Sequence, residues 1–283
     1  MNIAYFGLGN MGFPIAANLL KASYTVKSAA HRSKERLEKF AALGGIACAS
    51  NEEAVRDADI IFTIVPHDAA LRELMLAPAM MDAVKEGAVI IDMTSASAQI
   101  VQELADAYAA KGVGVLDAPV SGGVKGAAAA TITMMCAGER AVFDKVLPVL
   151  KSISKTQFYC GEKPGLGKMI KSLNNLMAAA TLALTGEVVK IVKKNGIDPE
   201  TFYDVVCTSS GCSVSFSNKF KQIVDEDFAP RFAAALMKKD VGLAMQLAEG
   251  LDVPMAQLTQ AYFDAAAEQL PDEDYAAVYK IRL

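Results

Sequence analysis

Cysteine and histidine are scarce in this sequence, and their positions exclude two common kinds of site. The two histidines, His31 and His67, are far apart and have no cysteine beside them, so neither a zinc finger nor a histidine-based zinc site can be built from neighbouring residues. The five cysteines are odd in number, scattered, and without C-x-x-C spacing, which argues against a disulfide framework. We therefore expect metal-free chemistry and a reducing, cytoplasmic setting.

The sequence also has little charge of either sign. Charged residues make up 21% of the chain and the formal net charge is −4, which argues against a nucleic-acid-binding protein, since such proteins need a basic face. No basic segment precedes the apolar start of the chain, and no uninterrupted apolar run is long enough to cross a membrane. We expect neither nucleic acid nor membrane as a partner, and an acidic substrate would need a local cationic site.

The two halves of the chain have different patterns. The first half alternates short apolar runs with helical stretches, which is typical of a doubly wound parallel sheet of the Rossmann type, an α/β fold. From Gly165 onward strand signals fade, and Lys168–Lys194 predicts one long helix in an all-helical region. The polar start of the last segment, Asp272–Leu283, predicts loose packing. The predicted strands are Asn2–Phe6, Tyr24–Ala30, Ile60–Val65, Val89–Asp92, Gly114–Ala118 and Thr131–Ala137.

A glycine-rich motif lies between the first predicted strand and the first predicted helix. Gly7-Leu8-Gly9-Asn10-Met11-Gly12 has the form G-x-G-x-x-G in the context that a dinucleotide site requires. Such a turn brings backbone amides and a helix N-terminus close to a pyrophosphate. A structural turn, or a site for another nucleotide-like ligand such as S-adenosylmethionine, is the alternative. The motif places a dinucleotide-binding domain in residues 1–163, followed by a helical domain for substrate and oligomerisation in residues 164–283.

The choice of cofactor depends on the end of the second predicted strand. His31-Arg32-Ser33 stands there, without the carboxylate that would accept hydrogen bonds from an NAD ribose. The Arg32 guanidinium and the Ser33 hydroxyl suit a 2′-phosphate instead, so we predict NADP(H). The alternative is that this segment is only the solvated start of a helix.

Two further segments carry residues suited to chemistry. Ser121, Gly122 and Gly123 end a turn whose amides could hold a substrate carboxylate, although a plain turn is the alternative. Lys171 and Asn175 are four residues apart and share a helix face. An ordinary exposed lysine is the alternative there, but the neighbouring apolar residues predict a largely buried helix, in which an ammonium group needs a reason. Those apolar residues are Ile170, Leu173, Leu176 and Met177.

These segments together resemble the β-hydroxyacid dehydrogenase family. The resemblance rests on Phe6–Gly12 with Asn18, on Asp117–Gly123, on Gly167–Asn175 and on Met237-Lys238-Lys239-Asp240, four motifs in the family's order over nearly the whole chain. The family includes 3-hydroxyisobutyrate dehydrogenases, tartronate semialdehyde reductases, and glyoxylate or succinic semialdehyde reductases. Semialdehyde reductases of the family often have Asn-Arg-Ser or Asn-Arg-Thr at the position of His31-Arg32-Ser33, which favours NADP.

The resemblance assigns a role to each matching residue. It implies that Lys171 is the catalytic lysine, Asn175 its helper, and Ser121, Gly122 and Gly123 the carboxylate cradle. It implies a structural role for Asp240. It also implies that the cofactor is contacted by Val65, Pro66, Thr94 and Ser95. It implies that Lys239 contacts either the cofactor or the substrate.

The expected activity is therefore hydride transfer between NADP(H) and a small hydroxy acid, semialdehyde or keto acid, with Lys171 as proton donor and acceptor. His67 is a weaker candidate for that proton transfer, because it has no evident orienting partner. A non-catalytic NADP-sensing or scaffold protein, or a relative of the imine reductases, is the alternative. The apolar content of the helical half predicts a homodimer or homotetramer. The sequence does not choose among small carboxylate substrates.

Overall fold

The computed structural model describes residues 1–29 and 34–283. It divides into two compact units, Met1–Lys171 and Ser172–Leu283. The strands are β1 (Asn2–Phe6), β2 (Thr25–Ala29), β3 (Ile46–Cys48), β4 (Ile60–Thr63), β5 (Val89–Asp92), β6 (Gly114–Asp117), β7 (Val120–Ser121), β8 (Thr133–Ala137) and β9 (Thr156–Gly161). The helices are α1 (Gly12–Lys21), α2 (Lys34–Ala42), α3 (Asn51–Val55), α4 (Asp68–Met75), α5 (Pro78–Ala83), α6 (Ala98–Tyr108), α7 (Gly123–Ala128), α8 (Arg140–Ile153), α9 (Leu166–Lys194), α10 (Pro199–Cys207), α11 (Val214–Val224), α12 (Ala234–Leu247) and α13 (Pro254–Gln269).

The first unit is built on one sheet with helices on both faces. Its parallel part has the strand order β3-β2-β1-β4-β5-β6, which is the order of a dinucleotide-binding fold. All four residues of β4 and all four of β5 are buried, as in strands covered on both faces. Along β1, Ile3 and Tyr5 join one apolar core and Ala4 and Phe6 the other. The predicted fold class is confirmed.

The far edge of the sheet corrects the prediction of purely parallel pairing. Strand β8 runs antiparallel to β6 and to β7 and parallel to β9. The segment between β7 and β8 holds only the short helix α7, and parallel neighbours need a crossover of about a dozen or more residues. Three strands were not predicted from the sequence: β3 and β7, which have only three and two residues, and β9, whose residues are not buried as a core strand would be.

The second unit is helical, as predicted, and its chain end is packed rather than loose. A 3₁₀ helix, Tyr275–Lys280, carries buried Ala276, Ala277 and Val278. Asp274 is fully buried; it accepts hydrogen bonds from Lys219 Nζ at 2.7 Å and from the amide of Phe232 at 3.1 Å. Burial lowers the pKa of Lys219, against the effect of Asp274. The expectation of loose packing was wrong because it rested on the polar start of this segment, and the buried polar residue there, Asp274, has its partners in distant parts of the chain.

Helix α9 is continuous over Leu166–Lys194, which confirms the predicted long helix. The prediction that its first turns are largely buried was wrong: Ile170, Leu173 and Met177 are 42%, 47% and 69% exposed. The buried face carries Ser172, Asn175 and other residues at helical spacing. By length and composition alone α9 could also cross a membrane, although it contains no uninterrupted apolar run of that length. Core helices of globular proteins meet the same criterion.

The division between the two units falls within α9, after Lys171. The boundary drawn from the sequence, between residues 163 and 164, falls in the short segment between β9 and α9, and it stays a prediction.

Candidate active site

The glycine turn after β1 has the geometry that a pyrophosphate requires. Gly7 has φ +102°, and an ideal Cβ there would lie 2.0 Å from the carbonyl oxygen of Ile64. A Cβ on Gly12 would lie 1.9 Å from the carbonyl oxygen of Gly7. At Gly9, by contrast, a Cβ would meet no atom of the described residues within 4 Å. Gly7 and Gly12 are therefore required by the fold, whereas Gly9 leaves open space that fits a dinucleotide cofactor.

The start of α1 supports the same use. Its N-cap residue, Met11, makes no capping hydrogen bond with its side chain, so that side chain leaves the amides of the first turn available to an anion. Arg36, from α2, donates from Nη2 to Asn10 Oδ1 at 2.8 Å. This arginine brings a positive charge to the turn, although no motif in the sequence indicated it. The predicted cofactor residues His31, Arg32 and Ser33 lie outside the described residues.

The ends of β4 and β5 bring two of the predicted cofactor contacts together. The amide of Val65 donates to Thr94 Oγ1 at 3.1 Å. That hydroxyl in turn donates to Asp92 Oδ1 at 2.6 Å, and the Thr63 hydroxyl donates to the same oxygen at 2.7 Å. Pro66, which is exposed, and Ser95, which is half-buried, follow these residues directly. The buried carboxylate of Asp92 therefore fixes the conformation of this edge of the sheet.

The predicted carboxylate cradle lies at the end of β7. Ser121 pairs with Thr133 of β8, and Gly122 and Gly123 have φ +137° and +65°. Both glycines are exposed. Asn18 of α1 donates from Nδ2 to the carbonyl oxygen of Ala127 at 2.8 Å, which ties the helix of the glycine turn to α7, the helix that begins at Gly123. Ser121, Gly122 and Gly123 therefore stand on an ordered turn rather than on a loose loop.

The predicted catalytic lysine follows an anchored turn of α9. Lys171 is half-buried. Just before it, Asp117 of β6 accepts hydrogen bonds from the amides of Gly165 and Lys168, each at 3.0 Å. Burial raises the pKa of Asp117, although the positive charge of Lys168 and these two amides act in the opposite direction. The start of α9 is thus fixed to the end of β6.

Asn175 is held in the second unit by a buried carboxylate. Its Nδ2 donates to Asp240 Oδ2 at 2.6 Å, and its Oδ1 accepts from Asn174 Nδ2 at 3.3 Å. Asp240 is 2% exposed, and the Nζ of the half-buried Lys239 lies 3.2 Å from its Oδ1. The arrangement gives Asp240 the structural role that the family resemblance implies, because it sets the orientation of the Asn175 amide.

His67 has a structural role in the first unit. It is the exposed N-cap residue of α4, and its Nδ1 accepts a hydrogen bond from the amide of Ala70 at 3.2 Å. A ring nitrogen that caps a helix is already engaged as an acceptor. This contact weakens the alternative in which His67 transfers the proton.

The buried network of Asp92, Asp117 and Lys168 was not anticipated from the sequence. Asp92 and Asp117 end strands β5 and β6, Lys168 lies in the first turn of α9, and each is at most 1% exposed. The sequence carries one signal for this network: an aspartate ends each of the apolar runs Val89–Asp92 and Gly114–Asp117. A carboxylate in such a buried position needs a partner, so these two residues could have been predicted to have one.

Comparison with known proteins identifies the family. A model described as the NAD binding domain of 6-phosphogluconate dehydrogenase matches residues 2–161. A second, described as NAD-binding of NADP-dependent 3-hydroxyisobutyrate dehydrogenase, matches residues 165–282. The chain is 37% identical to 2-(hydroxymethyl)glutarate dehydrogenase of Eubacterium barkeri over 99% of this chain and 94% of that protein. It is 31% identical to L-threonate dehydrogenase of Cupriavidus necator over 99% and 95%.

Solved structures agree with the sequence matches. The structure of 3-hydroxyisobutyrate dehydrogenase from Mycobacterium tuberculosis with L-serine superimposes with a TM-score of 0.89 at 30% identity, covering 99% of this chain and 98% of that one. Both family models describe domains that bind a nicotinamide cofactor, and both relatives are named as dehydrogenases. The chain therefore belongs to the β-hydroxyacid dehydrogenase family of oxidoreductases.

Proposed function

We propose that this protein is an NADP(H)-dependent oxidoreductase that interconverts a small hydroxy carboxylate and its aldehyde or ketone, with Lys171 as the proton donor and acceptor. The observation that carries the proposal is the placement of Lys171. Asp117 fixes the first turn of α9 to the carboxyl end of β6, and Lys171 lies on the next turn. Ligands bind at the carboxyl ends of the strands in this type of fold, so Lys171 follows directly on the region where a ligand is expected.

The proton chemistry follows from the side chains. When bound, the nicotinamide cofactor supplies or accepts the hydride. In reduction, the Lys171 ammonium stabilises the negative charge that develops on the carbonyl oxygen and then donates a proton to it; in oxidation the neutral amine takes the hydroxyl proton. Asn175 is one helical turn further along α9. Asp240 holds its amide group, whose oxygen has a second lone pair for a lysine or hydroxyl donor.

The substrate carboxylate would bind at Ser121, Gly122 and Gly123. Gly122 and Gly123 both have positive φ, and we propose that the amides of this turn bind the anion, as backbone amides of turns can. The Ser121 hydroxyl adds a donor, and charge-assisted hydrogen bonds of this kind hold a carboxylate without a fixed counterion. Val65, Pro66, Thr94, Ser95 and Lys239 remain the proposed contacts for the cofactor.

The choice of NADP(H) over NAD(H) rests on cationic side chains near the glycine turn. Arg36 reaches Asn10 within that turn, and Arg32 with Ser33 is proposed to add a second positive charge and a hydroxyl. Guanidinium groups bind a phosphate through two parallel hydrogen bonds, whereas an NAD ribose would favour a carboxylate. The same preference favours reduction as the physiological direction. The cytoplasmic location is proposed separately, from the odd number and scattered positions of the cysteines.

The substrate class is proposed from the chemistry of the relatives. Their names specify 2-(hydroxymethyl)glutarate, L-threonate and 3-hydroxyisobutyrate, which are all hydroxy acids. We propose a substrate of this class, and we include glyoxylate and succinic, tartronate and methylmalonate semialdehydes among the carbonyl compounds to be tested.

The test is a two-way assay of purified protein. Oxidation of the three hydroxy acids and reduction of the carbonyl compounds are followed at 340 nm with each cofactor, for the wild type, Lys171→Ala and the control Lys151→Ala, which removes an exposed lysine of α8. We expect turnover in the wild type and the control, and a loss of at least about a thousandfold in Lys171→Ala with NADPH binding retained. Near-normal turnover in Lys171→Ala would contradict the role of the lysine, and tight NADPH binding without turnover would favour a sensor protein.

We also propose that two or four copies of the chain associate. Exposed Ile170, Met177, Leu184 and Ile191 follow one another at seven-residue intervals along α9, and a stripe with this repeat can pack against the same stripe of a second copy. Size-exclusion chromatography with light scattering measures the mass, with Met177→Lys as the matched variant. A monomeric wild type would contradict the proposal.

A further inference from the structure

A buried ion pair in the first unit has no role in the proton transfer described above. Lys168 and Asp92 are 1% and 0% exposed, and Lys168 Nζ lies 2.7 Å from Asp92 Oδ2. The ammonium group also donates to the carbonyl oxygens of Asp92 at 2.9 Å and Thr94 at 2.6 Å. Buried ion pairs can often be replaced by apolar side chains without loss of stability, so stability alone does not account for this one.

One end of the pair is attached to the segments proposed to contact the cofactor. Asp92 accepts hydrogen bonds from the hydroxyls of Thr63 and Thr94, at 2.7 and 2.6 Å. Thr94 accepts in turn from the amide of Val65 at 3.1 Å. The carboxylate therefore joins the end of β4 to the end of β5, and a change in its position would move both Val65 and Thr94.

The other end of the pair is attached to the helix that carries Lys171. Lys168 lies in the first turn of α9, and Lys171 follows three residues later, a rise of about 4.5 Å. This first turn has little freedom, because a Cβ added to Gly167 would lie 2.1 Å from the carbonyl oxygen of Met135. The ion pair between Lys168 and Asp92 thus connects the end of β5 directly to the turn of α9 that precedes Lys171.

We propose that Lys168 and Asp92 are positioning residues, which set the place of Lys171 relative to the cofactor-contacting ends of β4 and β5. The inference rests on the proposed function, in which Lys171 transfers the proton. Proton and hydride transfers require the reacting atoms to be held in a narrow range of distances, and a displacement of about 1 Å can reduce turnover by about a hundredfold. Neither positioning residue needs to touch the substrate for this effect.

The experiment compares three variants of the full chain. Lys168→Met keeps most of the length of the side chain but removes its charge, and leaves the buried carboxylate of Asp92 without its cation. The double variant Lys168→Met with Asp92→Asn removes both charges. The control is Lys111→Met, at a half-buried lysine whose Nζ donates to the carbonyl oxygens of Met81 at 2.6 Å and Val84 at 2.8 Å. This variant also loses lysine hydrogen bonds to backbone carbonyls in the same unit, at residues that no proposed site includes.

Four quantities are measured for each variant: the melting temperature, kcat, the Kd for NADPH, and the rate at which acetic anhydride labels Lys171 relative to exposed Lys39, by mass spectrometry. We expect Lys168→Met to lower Tm and to reduce kcat by about tenfold to a hundredfold, with Kd changed less than about threefold. In the double variant Tm should recover most of the loss, whereas kcat should stay low. Lys111→Met should lower Tm and leave kcat and the labelling of Lys171 unchanged.

The outcomes separate the two hypotheses. Recovery of kcat together with Tm in the double variant would overturn the positioning role, since it would show that the pair serves only stability. The labelling of Lys171 does not require turnover, and we expect its rate to change at least about threefold in both Lys168 variants, as the environment of a lysine controls its reactivity. If the wild type turned over none of the substrates but the labelling rate of Lys171 changed in the variants, the proposed function would fail and the positioning of Lys171 would stand. An unchanged labelling rate would overturn the inference.

Discussion

The glycines of the Gly7–Gly12 turn are needed for two different physical reasons, and alanine substitutions at Gly7 and Gly9 distinguish them. Gly7 is confined by the protein itself, since its φ is +102° and an added Cβ would lie 2.0 Å from the carbonyl oxygen of Ile64. Gly9 meets no such obstacle among the described residues. We therefore expect Gly7→Ala to damage the fold and Gly9→Ala to damage cofactor binding alone.

The cost at Gly7 follows from two contributions. Forcing extra atoms into a packed site costs about 1–3 kcal/mol, and a non-glycine residue in a sparsely populated backbone conformation costs about 1–3 kcal/mol. Together they should lower the free energy of unfolding by about 2–6 kcal/mol. For a unit of this size, each kcal/mol lowers the melting temperature by about 2–4 °C, so we expect a fall of about 4–24 °C.

At Gly9 the expected loss is in affinity. The Cβ would occupy the space in which the backbone approaches the pyrophosphate, so the Kd for NADPH should rise by at least about tenfold, a loss of about 1.4 kcal/mol in binding free energy. The melting temperature of the protein without cofactor should stay within about 2 °C of the wild type, since surface substitutions change stability by about 0.5 kcal/mol or less.

Thermal unfolding and NADPH titration by fluorescence measure the two effects separately. Gly87→Ala is the matched control, because Gly87 has φ +70° but open space among the described residues where its Cβ would lie; it isolates the backbone contribution and should lower Tm less than Gly7→Ala. Wild-type NADPH affinity in Gly9→Ala, or a fall in its melting temperature as large as that of Gly7→Ala, would refute the reasoning.

Three further predictions concern other parts of the chain. Arg36→Ala should raise the Kd for NADPH by about tenfold or more and that for NADH by less than about threefold, and equal losses in a titration would contradict the proposed 2′-phosphate contact. Burial raises the pKa of Asp117, so the stability that this group contributes is complete below its unfolded pKa of about 3.9 and is lost as the pH rises through its folded pKa. The free energy of unfolding by urea should accordingly show a wild-type advantage over Asp117→Asn that narrows as the pH rises above about 4. A constant or widening gap would be inconsistent with a raised pKa. Deletion of residues 272–283 removes Asp274 and leaves Lys219 buried without its carboxylate, which should cost about 3–5 kcal/mol; an unchanged melting temperature would restore the view that this segment is loose.

The local order of the chain was predictable from its sequence. The apolar runs of β1, β4 and β5 and the glycine motif between β1 and α1 are short-range signals, since strand burial and turn geometry depend on neighbouring residues. The same holds for the length of α9, whose helical spacing continues over Leu166–Lys194. These signals were enough to predict the α/β class, the helical second half and the family.

Long-range pairing was not predictable. The antiparallel direction of β8 depends on how little chain connects it to β7, and the packing of the chain end depends on a hydrogen bond between Lys219 and Asp274, fifty-five residues apart. Single polar residues such as these have no periodic pattern, because their partners come from distant segments.

The sequence by itself determined which residues are available for catalysis: a lysine and an asparagine one helical turn apart, a glycine turn, and a serine with two glycines. Only the tertiary structure decided how they are supported. Lys168 reaches Asp92 across 76 residues of sequence, and Asp240 reaches Asn175 across 65. A buried charge must find its partner in space, and the partner's position along the chain is set by the fold rather than by any local rule.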